Sequence, residues 1–248
     1  MTAHQLYEVI RRKASLLCVG LDPSEAALPA WVWAGGLAAV EAYLRWVVAE
    51  TGPYAVAYKL NIAFYERWGA SGWHLLERLR QALPSDALII ADAKRADITH
   101  TNHAYAQAFW DTLAFEALTL NPYLGWEALR PFWSRKDKWV FVLLRTTEAP
   151  VWQATIWEAI VKEKPPEHEA MIGWVWGLQY GSELPRLRRL RPTDWLLVPG
   201  AGAQGASLDP TLPLFPALLV IARPILQNPQ TAAFWAKQTA CYIPSDLP

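Results

Sequence analysis

The chain has 248 residues, of which 53% are hydrophobic and 19% charged, and its 23 Lys and Arg balance its 23 Asp and Glu. That length buries a full core, and zero net charge argues against nucleic acid or an anionic membrane as a bulk electrostatic partner. Only Cys18 and Cys241 are present, far apart, which excludes a disulfide framework or zinc ribbon and points to a reducing, cytoplasmic setting.

The first residues, "MTAHQLYEVIRRK", carry Leu6, Val9 and Ile10 at helical spacing and no apolar signal-peptide core. The longest uncharged runs hold about fifteen residues, short of the roughly 20 that a spanning helix needs, so no membrane segment is expected. Beyond the first helix, short apolar runs recur in order: 15–22, 54–60, 87–94, 115–123, 139–145, 172–177, 195–202 and 218–224. Between them lie helical patterns: Tyr43, Leu44, Val47 and Val48; then Leu75, Leu79 and Leu83; then Tyr105, Phe109 and Leu113; then Trp152, Ile156 and Ile160. Continuous apolar strands alternating with amphipathic helices predict a parallel sheet covered by helices. Eight such units in one chain predict a (β/α)8 TIM barrel, a single domain over 1–248. No G-x-G-x-x-G follows the first strand, which weakens a dinucleotide-binding alternative. The fifteen Trp are scattered and read chiefly as core filling. The pair His100 and His103 shares a helical face but is a weak metal signal by itself.

In such a barrel the chemistry sits where the strands end. Those ends carry Asp22, Lys59, Asp92 with Lys94, Asn121, Arg145 with Thr146 and Thr147, Gln179, Gln204 and Arg223. In "LIIADAKRADITHT", Asp92 and Lys94 are two apart on a strand and should face the same way, with Ala93 and Arg95 facing the other. At about 4 Å and an effective dielectric of 20, such a pair attracts by roughly 4 kcal/mol, enough to keep Lys94 protonated. Lys59 ends the neighbouring strand, so an alternating Lys–Asp–Lys array is expected. Asp97 precedes a helical pattern, where it reads equally as an N-cap or as a site residue; Thr99 is a second cap candidate. The stretch "VPGAGAQG" (198–205) is small enough for backbone N–H groups to approach an anion, and Arg223 after the eighth strand adds a planar fork suited to phosphate.

"DAKRADI" matches the Asp-x-Lys-x-x-Asp signature of the orotidine 5′-phosphate decarboxylases. "VGLDP", "YKLNIAFYERWG", "LTLNPYLG", "LLRTT" and "VPGAGAQG" resemble that family in the same order, from Val19 to Arg223. The resemblance is greatest to the bacterial type 2 subgroup. It implies decarboxylation of orotidine 5′-monophosphate to UMP without metal or cofactor. It assigns Lys59, Asp92, Lys94 and Asp97 to a charged catalytic array with Lys94 as proton donor. It also implies a homodimer in which Asp97 and Thr101 complete the partner's site. Asp22 and Lys59 would contact the ribose, Thr147 the pyrimidine, and Gly202, Gln204 and Arg223 the 5′-phosphate. The chain departs from the family at Thr147, where Ser is usual, and at Glu148, Gln179 and Ala222. Two other readings stay open: a Mg-dependent sugar-phosphate decarboxylase or aldolase of the same suprafamily, and a non-catalytic barrel that binds partners.

Overall fold

The computed structural model describes residues 1–148, 150–165, 171–201 and 208–247. Eight parallel strands close on themselves in sequence order: β1 (Leu17–Gly20), β2 (Ala57–Asn61), β3 (Leu88–Arg95), β4 (Ala117–Leu120), β5 (Trp139–Arg145), β6 (Met171–Trp176), β7 (Leu196–Val198) and β8 (Ala217–Ile221). Closure comes from β8 pairing with β1, Leu17 opposite Leu219. Each strand answers one of the eight apolar runs, because a strand covered on both faces buries most of the residues along its length. The run expected over 195–202 yields only the three residues of β7, since Pro199 cannot donate to the ladder.

Helices cover the barrel as the periodicity requires. Tyr43, Leu44, Val47 and Val48 are all buried on the helix Gly36–Thr51, and Leu75 and Leu79 on Gly69–Ala82. The stripe of Tyr105, Phe109 and Leu113 runs through the helix Thr99–Ala106 into a π-helical turn over Gln107–Thr112 and packs on the core. The helix Val151–Lys162 is different. It buries Trp157 and Val161, while Trp152 and Ile156 stay 51% and 36% exposed. Two apolar stripes compete on that helix, and the one bearing Trp157 faces the barrel, set edge-on against Trp176 of β6 at 5.2 Å.

Aromatic rings fill the end of the barrel where the strands begin. Tyr7, on the helix Ala3–Lys13, lies 5.0 Å from Trp195 and 6.0 Å from Phe215, and the Trp139 indole donates to the Met1 carbonyl at 2.7 Å. Gly173 of β6 has no room for a side chain: a Cβ there would lie 2.6 Å from the Trp195 carbonyl and 2.9 Å from the Phe141 ring. Trp110, Trp133, Trp139, Trp157, Trp174, Trp176 and Trp195 are buried, in line with core filling. Both thiols are free, Cys18 within β1 and Cys241 at the surface. Among the described residues no helix is long and apolar enough to cross a membrane.

Candidate active site

The opposite end of the barrel opens into a cavity of about 1090 Å³. Its floor is a chain of alternating charges. Lys59, near the end of β2, is 5% exposed and donates to both oxygens of Asp22 (3.2 and 3.1 Å) and to Oδ2 of Asp92 (3.0 Å). Three N–H groups thus meet three carboxylate contacts, so the buried ammonium is fully satisfied. Asp22 is itself fixed by the Asn61 backbone N–H at 3.1 Å. The Lys94 ammonium donates to Oδ1 of Asp92 at 2.6 Å. Lys59, Asp92 and Lys94 thus alternate in charge along the floor, with Asp22 at the inner end.

The electrostatics follow from burial opposed by close opposite charge. Burial by itself would raise the Asp92 carboxyl, but Lys59 and Lys94 together hold it well below the usual carboxylate range. Burial likewise would lower Lys59, yet Asp22 and Asp92 push it above the ordinary lysine value. Lys94 stands apart by its exposure: its side chain is 46% exposed, against 6% for Lys59 and 11% for Asp92. Among the described residues its ammonium bonds only Asp92, which leaves two N–H groups directed at the cavity.

Asp92 and Lys94 do not meet through the plain two-residue alternation of a strand. Between β3 and β4 the register passes from Ala91 opposite Leu118 to Arg95 opposite Leu120, so β3 carries two extra residues there. Lys94 sits in this bulge at φ +50°, a left-handed conformation. Arg95 does turn outward as expected, pairing with Glu66 at 2.6 Å and lying over the Tyr105 and Phe109 rings.

The remaining expected residues divide. Thr147 and Asn121 line the cavity, and so does Glu148. Gln179 bridges toward the fifth-strand loop, donating to the Thr147 carbonyl at 2.8 Å. Arg145 is turned away from the cavity; it pairs with Glu183 at 2.7 Å and lies 3.9 Å from the Tyr180 ring centre. Arg223 opens the helix Arg223–Gln227 as an exposed residue, one position beyond Ala222 on the cavity wall. Gly202 and Gln204 lie outside the described residues. Asp97 and Thr101 do not line the cavity of their own chain. Asp97 is not an N-cap either: Ile98 holds that position without a side-chain bond, and the Asp97 carboxylate accepts the Ile98 N–H at 2.7 Å. Thr99 is the first residue inside the helix.

Sequence reasoning missed several lining residues. Thr119, in the middle of β4, touches both Asp92 and Lys94. Gln153 bonds the Thr146 backbone at 3.0 Å. Trp152, Ile156 and Ile160, which the periodicity assigns to helix packing, form an apolar side wall. An indole in a loop-adjacent first helical turn was the one available hint, and nothing in "LTL" singles out its Thr. As for a metal, the described residues hold no cluster of three His, Cys, Asp or Glu. Of the nearby acids, Asp22 and Asp92 are engaged by Lys59, and Glu66 by Arg95.

Comparison with known proteins agrees with this geometry. A family model described as "Orotidine 5′-phosphate decarboxylase / HUMPS family" matches residues 15–237. A Dehalococcoides mccartyi protein named orotidine 5′-phosphate decarboxylase is 38% identical over 211 residues, covering 80% of this chain and 76% of the relative. The structure of a Leishmania donovani OMP decarboxylase superposes with a TM-score of 0.78 at 31% identity, covering 98% of both chains. The structure of a Leishmania donovani UMP synthase gives a TM-score of 0.82 at 32% identity; the match covers 98% of this chain but 56% of that longer one. With an eight-stranded barrel, a charged floor at its mouth and matches across most of its length, the chain belongs to the orotidine 5′-phosphate decarboxylase / HUMPS family.

Proposed function

We propose that this barrel converts orotidine 5′-monophosphate to UMP, the closing step of pyrimidine nucleotide synthesis, with Lys94 as the catalytic acid. The observation that carries this reading is the Lys94 ammonium, anchored at 2.6 Å to a carboxylate held ionised by Lys59 and still presenting N–H groups to the cavity. Loss of CO2 breaks the bond from C6 and leaves its electron pair on a carbon with no conjugated sink. A cation fixed beside that carbon stabilises the pair, and the same ammonium then transfers its proton to C6. Lys94 is left neutral and regains a proton from solvent. Asp92 stands where the substrate carboxylate would enter, so departure of CO2 relieves like-charge repulsion while Asp92 keeps Lys94 aimed. Asp22, its carboxylate held by Lys59, would take the ribose hydroxyls and Thr147 the pyrimidine. Gly202, Gln204 and Arg223 would hold the 5′-phosphate, whose binding energy aligns the reacting centre. The scheme calls on no metal or cofactor.

The site is completed, on this reading, by a second copy of the chain supplying Asp97 and Thr101. Support comes from their position: both follow β3 closely, neither faces its own cavity, and Ile98 between them is 63% exposed. Mixing inactive Lys94→Ala with inactive Asp97→Ala should restore activity in hybrid dimers, which contain one intact site. No recovery on mixing would remove the shared site.

The deciding experiment follows orotidine 5′-monophosphate by absorbance with purified protein, with and without a chelator. Chelator-insensitive loss with UMP as product is expected. Chelator-sensitive turnover of a sugar phosphate instead would favour the metal-dependent alternative, and no turnover of either would favour the binding protein.

A further inference from the structure

We infer that Thr119, a buried residue of β4, is a positioning residue that locks Lys94 into its working conformation through its hydroxyl; this rests on the decarboxylase reading above. Three observations converge on it. The first is backbone geometry. Lys94 has φ +50°, which places Cβ close to its own carbonyl oxygen and is unfavourable for any residue with a side chain. Among the described residues the other non-glycine positions with positive φ are Ala14, ending the helix Ala3–Lys13, and Ala114, in the connection before β4. Among the described residues Lys94 alone carries this conformation inside a strand, so something must hold it there.

The second is register. The two extra residues of β3 fall between Ala91 opposite Leu118 and Arg95 opposite Leu120, and the β4 residue facing that gap is Thr119. A bulge leaves ladder groups without backbone partners, and those groups must find others. The third is the hydroxyl's own bonding. Thr119 Oγ1 accepts the Lys94 backbone N–H at 2.9 Å and donates to Asp92 Oδ1 at 2.9 Å. Oδ1 is the same oxygen that receives the Lys94 ammonium. One oxygen thus ties the backbone of the acid residue to the carboxylate that aims its side chain. Thr119 is 1% exposed, and a β-branched side chain in a strand has few rotamers, so the tie is rigid.

Valine matches threonine in shape but neither accepts nor donates. In Thr119→Val the Lys94 N–H loses its partner, the bulge can relax toward an extended backbone, and the ammonium moves off the reacting carbon. The substrate groups remote from C6 keep their contacts. The expected signature is therefore a fall in kcat of about 10- to 100-fold, equal to about 1.4–2.7 kcal/mol at 1.36 kcal/mol per tenfold, with KM within about twofold. Thr119→Ser keeps both hydrogen bonds and should return kcat to within about threefold of the parent. A second readout does not depend on turnover: hydrogen exchange at the Lys94 amide should accelerate in Thr119→Val and stay slow in Thr119→Ser. Equal loss of kcat in both variants, or a Lys94 amide as protected in Thr119→Val as in the parent, would overturn the inference. If the parent itself fails to convert orotidine 5′-monophosphate, the decarboxylase reading falls first, and the amide protection alone then decides whether Thr119 positions Lys94.

Discussion

The two ends of the barrel both bury a lysine against an aspartate, and they use the pair differently. Where the strands begin, Lys164 meets Asp194 at 2.8 Å with side chains 3% and 4% exposed, and the Trp174 indole donates to the other Asp194 oxygen at 2.9 Å. Where the strands end, Asp92 receives Lys59 and Lys94, and Lys94 is 46% exposed on an open cavity. A sealed ion pair returns little net stability over an apolar replacement, because desolvation offsets the attraction. What separates the ends is thus not the strength of the pair but the hydrogen-bonding capacity left for a ligand. Charge closed away from solvent organises packing, whereas charge left half-open can act on something that enters.

The largest expected effect tests the open end. Lys94→Ala removes both the proton and the cation beside the carbanion, and should lower kcat at least about 10⁴-fold. Its half-exposed side chain carries little packing, so the melting temperature should stay within a few degrees of the parent, read by calorimetry on the same samples. Substantial UMP formation by this variant would strip Lys94 of its role.

Lys59→Met comes next and should hit both properties. It leaves Asp22 and Asp92 facing one another in a buried site without the ammonium that bridges them, at a cost of about 3–5 kcal/mol in urea unfolding. Activity should fall with it, since Asp92 would take up a proton and release Lys94. Unchanged stability would mean that solvent reaches this floor freely.

Asp194→Asn supplies the contrast at the closed end. It removes the buried carboxylate charge that Lys164 meets at 2.8 Å and should lower stability by about 1–3 kcal/mol. Its kcat, measured on the folded fraction, should match the parent. A fall in kcat together with stability would show that the two ends are coupled through the barrel.

The contrast also explains what the sequence could convey. Eight continuous apolar runs are legible because burial on both faces leaves no other pattern for a parallel strand. Asp22, Lys59, Asp92 and Lys94 were legible because charge at the end of such a run has no packing reason. The bulge was not: "ADAKRAD" reads equally as a regular strand, and only pairing with β4 reveals two surplus residues. Thr119 was hidden for a related reason, since a β-branched residue is ordinary in a strand until its neighbour across the ladder is known. The side-wall place of Trp152 and Ile156 was hidden because periodicity finds an apolar stripe without saying what it faces. Asp97 kept its two readings in sequence; the structure removes the cap by giving that position to Ile98.

The smallest effect is the dependence of stability on acid, and it sharpens the account of Asp92. The folded carboxyl is held below its ordinary value because Lys59 and Lys94 outweigh the burial that would raise it. The unfolded chain therefore binds this proton first as pH falls, at about 3.9, while the folded chain still resists it. A depressed acid contributes its full stability above the unfolded value and loses it as pH drops through the folded one. Asparagine mimics the protonated state throughout. The stability gap between the parent and Asp92→Asn should be constant from about pH 7 to 5 and narrow only below about pH 4. Urea unfolding of both proteins at matched ionic strength reads the gap directly. A gap that narrows already between pH 7 and 5 would mean that burial, not the two lysines, governs Asp92, and the carboxylate could not then hold Lys94 in place.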